Sequence, residues 1–185
     1  GYELALVGGP VRDLLLHRRS HDLDFCTSAR PEQFEPILRR WGHDGFWDMG
    51  RKFGTLGAMR RRPDGTEVQV EITTYRSDEY DPDSRKPEVS YGDSLEGDLS
   101  RRDFTVNAMA LRVPDLEFVD PFGGANDLSK RVLRTPVDPR QSFDDDPLRM
   151  MRAVRFVAQL GFGIEPETAE AICTMADRLG IVSAE

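Results

Sequence analysis

The sequence predicts an α+β fold: a small mixed sheet with helices, followed by the start of an all-helical region. Residues 3–16 run from a short apolar strand through Gly8-Gly9 into a short helix, with Pro10 near its first position. Residues 54–60 and 67–74 form two strand-like runs around Pro63-Asp64-Gly65, a hairpin signal. From Asp146 onward the periodicity is helical, broken near residues 161–166 and resumed to about Leu179.

The elements between follow the same logic. Residues 22–26 (DLDFC) read as a strand. Residues 31–41 read as an amphipathic helix opened by Pro31, with Phe34, Ile37, Leu38 and Trp41 at helical spacing. In residues 67–72, Val68, Val70 and Ile72 alternate with Glu67, Gln69 and Glu71, so one face is apolar and the other polar. Residues 76–99 hold eight acidic and three basic residues and two prolines without periodicity, and predict a long mobile loop. Residues 106–111 and 117–119 return to strand-like sequence, and Asp120-Pro121-Phe122-Gly123-Gly124 reads as a turn closing the sheet. The expected division is a sheet domain over 1–138 and a helical region over 139–185.

With 185 residues the chain can bury a core without staples. Its two cysteines, Cys26 and Cys173, have no CxxC spacing, and His17, His21 and His43 form no metalloprotease pattern. A reducing cytoplasm is expected. No apolar run approaches the ~20 residues needed to cross a bilayer, so no membrane partner is expected. A net charge of −8 argues against a uniformly nucleic-acid-binding surface.

The central chemical feature is Asp22-Leu23-Asp24. Residues i and i+2 of a strand share a face, so both carboxylates project together. Such a pair is either a solvated strand end or the seat of a divalent cation that relieves its repulsion. Mg²⁺ suits carboxylates working beside substrate phosphates. Upstream, Gly8-Gly9-Pro10-Val11-Arg12-Asp13 joins strand to helix. Glycines there either make a simple turn or let backbone N–H groups approach a phosphate. The segment matches neither the dinucleotide fingerprint nor the P-loop. Glu71, on the polar face of its strand, is either solvent-facing, a third metal ligand, or a base for an attacking hydroxyl.

Further along, Arg101-Arg102-Asp103 precedes a strand-like run, where alternation lets only one of the two arginines reach a site easily; the arginines either serve that site or form a salt bridge to the acidic loop. Arg149, Arg152 and Arg155 step down one side of a helix at about 100° per residue, with Met150, Met151, Val154, Val157 and Ala158 roughly opposite. The arginines are either a solvated stripe or a recognition face. Asp146 precedes Arg149 by one turn and could orient its fork through a bidentate pair.

Six segments occur in order: VGGPVRD, HDLDF, VEITTYR, RRDFTVNAMAL, VDPFGG and DDPLRMMRAVRFVAQLGF. Together they resemble the head and early neck of the class II CCA-adding enzyme and bacterial poly(A) polymerase family, within the DNA polymerase beta-like nucleotidyltransferases. The resemblance spans about residues 4–162. It implies Mg²⁺-dependent, template-independent transfer of CMP and AMP from CTP and ATP to a tRNA 3′ end. Poly(A) addition and CC-only or A-only addition are close variants.

The resemblance implies Asp22 and Asp24 as the metal-binding carboxylates and Glu71 as a third carboxylate of the catalytic set. Gly8, Gly9 and Arg12 would lie at the phosphates, with Arg102, helped by Arg101, holding the triphosphate. Asp103 and Asn107 would shape the ribose site. Asp146 and Arg149 would read the base, with Arg152 and Arg155 on the same helix. One departure is Asp144-Asp145-Asp146 where the family commonly has Glu-Asp. The intact DxD weighs against a non-catalytic docking module, and RRDFTVNA with DDPLR weighs against a small-molecule nucleotidyltransferase.

Overall fold

The computed structural model describes residues 1–81, 84–92 and 94–182. β1 (Leu4–Val7) is buried at alternate positions and ends at Gly8, whose φ of 72° turns the chain into α1 (Gly9–Leu15). That turn favours glycine twice over: the φ is left-handed, and a Cβ at Gly8 would lie 2.9 Å from Arg102 Nη1. β2 (Asp22–Thr27) follows, then α2 (Pro31–Trp41), which buries Phe34 and Leu38 against Ala29, Leu56, Ala58, Val68 and Val70.

β3 (Gly45–Trp47), β4 (Thr55–Arg61) and β5 (Glu67–Thr74) complete one side of a seven-stranded sheet. Val68 and Val70 of β5 are buried and Glu67, Gln69 and Glu71 exposed, as the alternation requires. β8 (Ala110–Arg112) and β9 (Glu117–Val119) extend the other side, giving the order β3-β4-β5-β2-β1-β8-β9. β2 and β5 run parallel, with Asp22 opposite Gln69 and Asp24 opposite Glu71.

Residues 76–99 are not the single long loop expected. β6 (Arg76–Asp81) and β7 (Ser84–Tyr91) pair as an antiparallel ribbon, and α3 (Leu95–Ser100) starts at Ser94, whose hydroxyl accepts from Gly97 N. Cross-strand pairing organises this polar sequence without an apolar period in either strand. The loop expectation for residues 82, 83 and 93 lies outside the described residues. Residues 106–111 are also not one strand: Thr105–Asn107 form a 3₁₀ turn and β8 begins only at Ala110.

Beyond the sheet come α4 (Gly124–Lys130), β10 (Val132–Leu133), α5 (Pro139–Asp145), α6 (Leu148–Leu160), β11 (Gly163–Ile164) and α7 (Pro166–Thr174). Helix thus begins before Asp146. Asp138 caps α5 by accepting from Arg140 N and Gln141 N, a signal present in the Asp-Pro pair. The expected apolar side of α6 is rotated. Met150, Ala153 and Phe156 are buried with Arg149, whereas Met151 and Val154 are exposed. Polar partners make burial of Arg149 affordable, and the core turns with it. Phe156 joins Val11, Phe104, Val106 and Met109 in one cluster, so α6 packs directly on the sheet domain.

Candidate active site

Between α1, the segment after α3, and α6 lies a cavity of about 520 Å³. It is lined by Gly8, Gly9, Arg12, Asp24, Arg101, Arg102, Asp103, Asn107, Asp146, Arg149, Arg152 and Arg155, all singled out in the sequence. Arg76, Phe156 and Gln159 join them unforeseen. A second cavity of about 310 Å³ shares Asp24, Arg76, Arg101 and Arg102 with the first and adds Thr55, Thr73 and Glu71. Asp22, at the start of β2, lines neither, although its charge is felt by Asp24.

The first cavity presents seven arginines and three aspartates. A chain with a net charge of −8 therefore concentrates positive charge at one place, which suits a compact polyanion such as a triphosphate. The two cavities meet at Asp24. Burial raises the Asp24 carboxyl above its ordinary range, reinforced by Glu71 and Asp22 and opposed by Arg102. Solvent still reaches this side chain, but the strand row around it already removes part of its hydration.

Arg101 and Arg102 follow α3 rather than starting a strand, so strand alternation does not apply and both line the cavity. Both are held by Asp98, at 2.7 Å from Arg101 Nη2 and 2.9 Å from Arg102 Nη2. Asp98 is 1% exposed. Burial pushes its carboxyl upward, but Arg102 and Arg101 together outweigh this and hold it below the usual range. The sequence left open a salt bridge from these arginines to the acidic 76–99 segment, and it forms, but nothing singled out Asp98 as the partner. Its spacing of three and four residues from the arginines was a usable signal, hidden by the loop reading.

A polar chain crosses the cavity floor. Arg12 Nη1 donates to Asn107 Oδ1 at 2.8 Å, and Asn107 Nδ2 donates to Asp103 Oδ1 at 3.0 Å. Arg152 pairs with Asp103 Oδ2 through Nε at 2.8 Å and Nη2 at 2.6 Å. Three guanidiniums, of Arg12, Arg152 and Arg155, lie 5.4–5.8 Å from the Phe156 ring centre. Phe156 is thus an aromatic floor for cationic walls.

Arg149 is 5% exposed. Its Nη1 donates to Ser142 Oγ at 2.8 Å and its Nη2 to the Arg101 carbonyl at 2.6 Å. Asp146 Oδ1 accepts from Leu148 N at 3.0 Å, bracing the start of α6. Arg149 therefore links α5, α6 and the arginine pair. Ser142 was not foreseen, because it belongs to a helix not read from the sequence.

Among the described residues no group of three or more His, Cys, Asp or Glu side chains encloses a metal ion by itself. The exposed carboxylates of Asp22 and Asp24 still fit a divalent cation, since Mg²⁺ commonly takes one or two carboxylates and completes its shell with water and substrate phosphate.

The mixed sheet thus sets Asp24 beside an arginine-walled cavity suited to a polyanion. Residues 4–134 match the family described as the poly A polymerase head domain, and the chain belongs to that family. The CCA-adding enzyme of Streptococcus pneumoniae serotype 19F (strain G54) is 45% identical over 186 residues, covering 100% of this chain and 44% of that protein. The CCA-adding enzyme of Bacillus subtilis (strain 168) is 41% identical with the same coverage. The crystal structure of the Bacillus stearothermophilus CCA-adding enzyme in complex with CTP superposes with a TM-score of 0.83 at 40% identity, covering 99% of this chain and 42% of that one. A tRNA nucleotidyltransferase complexed with a primer tRNA and an incoming ATP analog gives 0.75 at 32% identity, covering 98% and 48%. The chain thus spans less than half the length of these relatives. Among the described residues no helix is long and apolar enough to cross a membrane.

Proposed function

We propose that this chain is the nucleotide-binding catalytic part of an enzyme that adds CMP and AMP from CTP and ATP to the 3′ end of tRNA, releasing pyrophosphate. The observation that carries the proposal is the meeting of the two cavities at Asp24. The arginine-walled one suits an NTP, and the smaller one, reaching Glu71, leaves room for an acceptor hydroxyl. Relatives solved with CTP, and with primer tRNA and an ATP analog, support the same reading.

In this reading Gly8, Gly9 and Arg12 cradle phosphates at the start of α1. Arg102 and Arg101, braced by Asp98, hold the triphosphate. Asp103 and Asn107 shape the ribose pocket through the chain that also fixes Arg152. Asp146 and Arg149 read the base edge, with Arg152 and Arg155 beside them. A donor fork with an acceptor one turn away matches the amine and ring nitrogen that cytosine and adenine share, and leaves uracil and guanine with unpaired groups. Residues 1–138 serve as the catalytic head and 139–185 as the start of a helical neck carrying base recognition.

Asp22 and Asp24 would hold Mg²⁺, which when bound supplies charge neutralisation for in-line displacement at phosphorus. Glu71 either adds a third carboxylate or accepts the proton of the attacking hydroxyl. The 3′ oxygen forms a bond to the α-phosphorus as the bond from α-phosphorus to the bridging oxygen breaks. The proton leaves the hydroxyl and pyrophosphate departs with the bridging electrons. The two unpaired cysteines support a reducing, cytoplasmic setting.

The family description favours a second reading, AMP addition to RNA 3′ ends generally. The test is to supply the full-length enzyme with tRNA lacking its terminal CCA, or with generic RNA, plus CTP or ATP. Extension of tRNA by CCA supports the first reading. AMP runs on generic RNA without CMP use would replace it with the second.

A further inference from the structure

Four residues occupy one row across four neighbouring strands. Trp47 of β3 lies opposite Gly57 of β4, Gly57 opposite Glu71 of β5, and Glu71 opposite Asp24 of β2. Residues opposite one another in a sheet present their side chains to the same face. Gly57 therefore leaves a gap in the row between an indole and a carboxylate, and the indole fills it. A Cβ on residue 57 would lie 2.1 Å from Trp47 Cε2 and 2.2 Å from Trp47 Nε1. The ring thus rests directly on the glycine backbone and crosses β4 to place Nε1 3.1 Å from Glu71 Oε1. Strands sit about 4.8 Å apart, so β3 and β5 are roughly 10 Å from each other. A long, rigid donor and a residue without a side chain are both required to bridge that span.

We infer that Trp47 is a positioning residue for nucleotide transfer, holding the Glu71 carboxylate in the Asp24 row by one oxygen, with Gly57 as the second part of the device. The inference rests on the reading of Glu71 as a member of the catalytic carboxylate set. Indole N–H only donates, so it engages Glu71 as an acceptor and leaves Oε2 for a cation or a proton. The bond to an ionised carboxylate is charge-assisted and directional. It restrains an otherwise exposed glutamate whose rotamers would scatter. Neither Trp47 nor Gly57 lines the arginine-walled cavity, so nucleotide binding is independent of the pair.

Two variants attack the device from opposite sides. Trp47→Phe keeps a ring on Gly57 and removes the donor. Gly57→Ala keeps the donor and displaces the ring. Each is expected to lower kcat about tenfold and to raise the Mg²⁺ concentration for half-maximal rate, with KM for NTP unchanged, because partners that orient metal-binding groups typically matter 10–100-fold. A signal independent of turnover comes from indole N–H resonances. The chain has two tryptophans, Trp41 and Trp47. One indole N–H resonance should vanish in Trp47→Phe, and that same resonance should shift in Gly57→Ala and in Glu71→Gln, without metal or nucleotide. Wild-type kcat and Mg²⁺ dependence in Trp47→Phe beside an inactive Glu71→Gln would overturn the inference and leave the role of Glu71 standing. Wild-type turnover in Glu71→Gln would remove that role and the inference with it. A fall in kcat and NTP affinity together, tracking a lower Tm and insensitive to Mg²⁺, would make Trp47 merely structural and also overturn the inference.

Discussion

Asp98→Ala removes one buried carboxylate and leaves two guanidiniums without their common anchor. Breaking a buried ion pair from one side costs about 3–5 kcal/mol. Arg101 and Arg102 have side chains 16% and 21% exposed, so both rehydrate in part and the lower end, about 3 kcal/mol, applies. For a chain of this size 1 kcal/mol corresponds to about 2–4 °C, which gives a Tm lower by roughly 6–12 °C. Loss of this shared brace should also raise KM for NTP about tenfold, equivalent to about 1.4 kcal/mol over the pair.

The Asp98 effect has a pH signature. Its folded pKa is depressed, so its contribution is fully present above the ordinary aspartate pKa of about 3.9 and is lost as pH falls through the lower folded value. The Tm gap between wild type and variant should stay constant from neutral pH to about 4 and narrow below it. Calorimetry across pH, with nucleotide titration at neutral pH, measures both effects. A Tm within about 2 °C of wild type, with unchanged NTP affinity, would show that Asp98 does not brace the arginines.

Asp22→Ala and Asp24→Ala should each abolish nucleotide transfer. For Asp24 the Tm should hold or rise slightly, because burial and Glu71 oppose its charged form at neutral pH; substantial Mg²⁺-dependent turnover by either variant would remove the carboxylate mechanism. Asp146→Ala or Arg149→Ala should raise the use of UTP and GTP relative to CTP and ATP, costing about 1–3 kcal/mol of discrimination, measured as ratios of kcat/KM; a uniform loss across four nucleotides would place base reading elsewhere. Native protein should take up iodoacetamide at exposed Cys173 and resist it at buried Cys26, whose thiol burial pushes up to about 12; equal labelling before denaturation would contradict that burial.

Local periodicity made much of this protein legible from its sequence. Strand alternation put Asp22 and Asp24 on one face and Glu71 on the polar face of its own strand, because side-chain direction repeats every two residues. Pro31 and the spacing of Phe34 and Leu38 likewise marked α2 at its observed bounds. What no local pattern contains is register and partner. Only the parallel pairing of β2 with β5 sets Glu71 opposite Asp24, and only the β3–β4–β5 ladder brings Trp47 to Glu71. The direction in which α6 faces was decided in the same way. Ser142, on the preceding helix, and the Arg101 carbonyl, 48 residues away in sequence, satisfy Arg149 and let it turn inward, leaving Met151 and Val154 in solvent. Hydrogen bonds to other segments outweighed the apolar count of one helix, since a buried guanidinium is tolerable only where such partners wait for it.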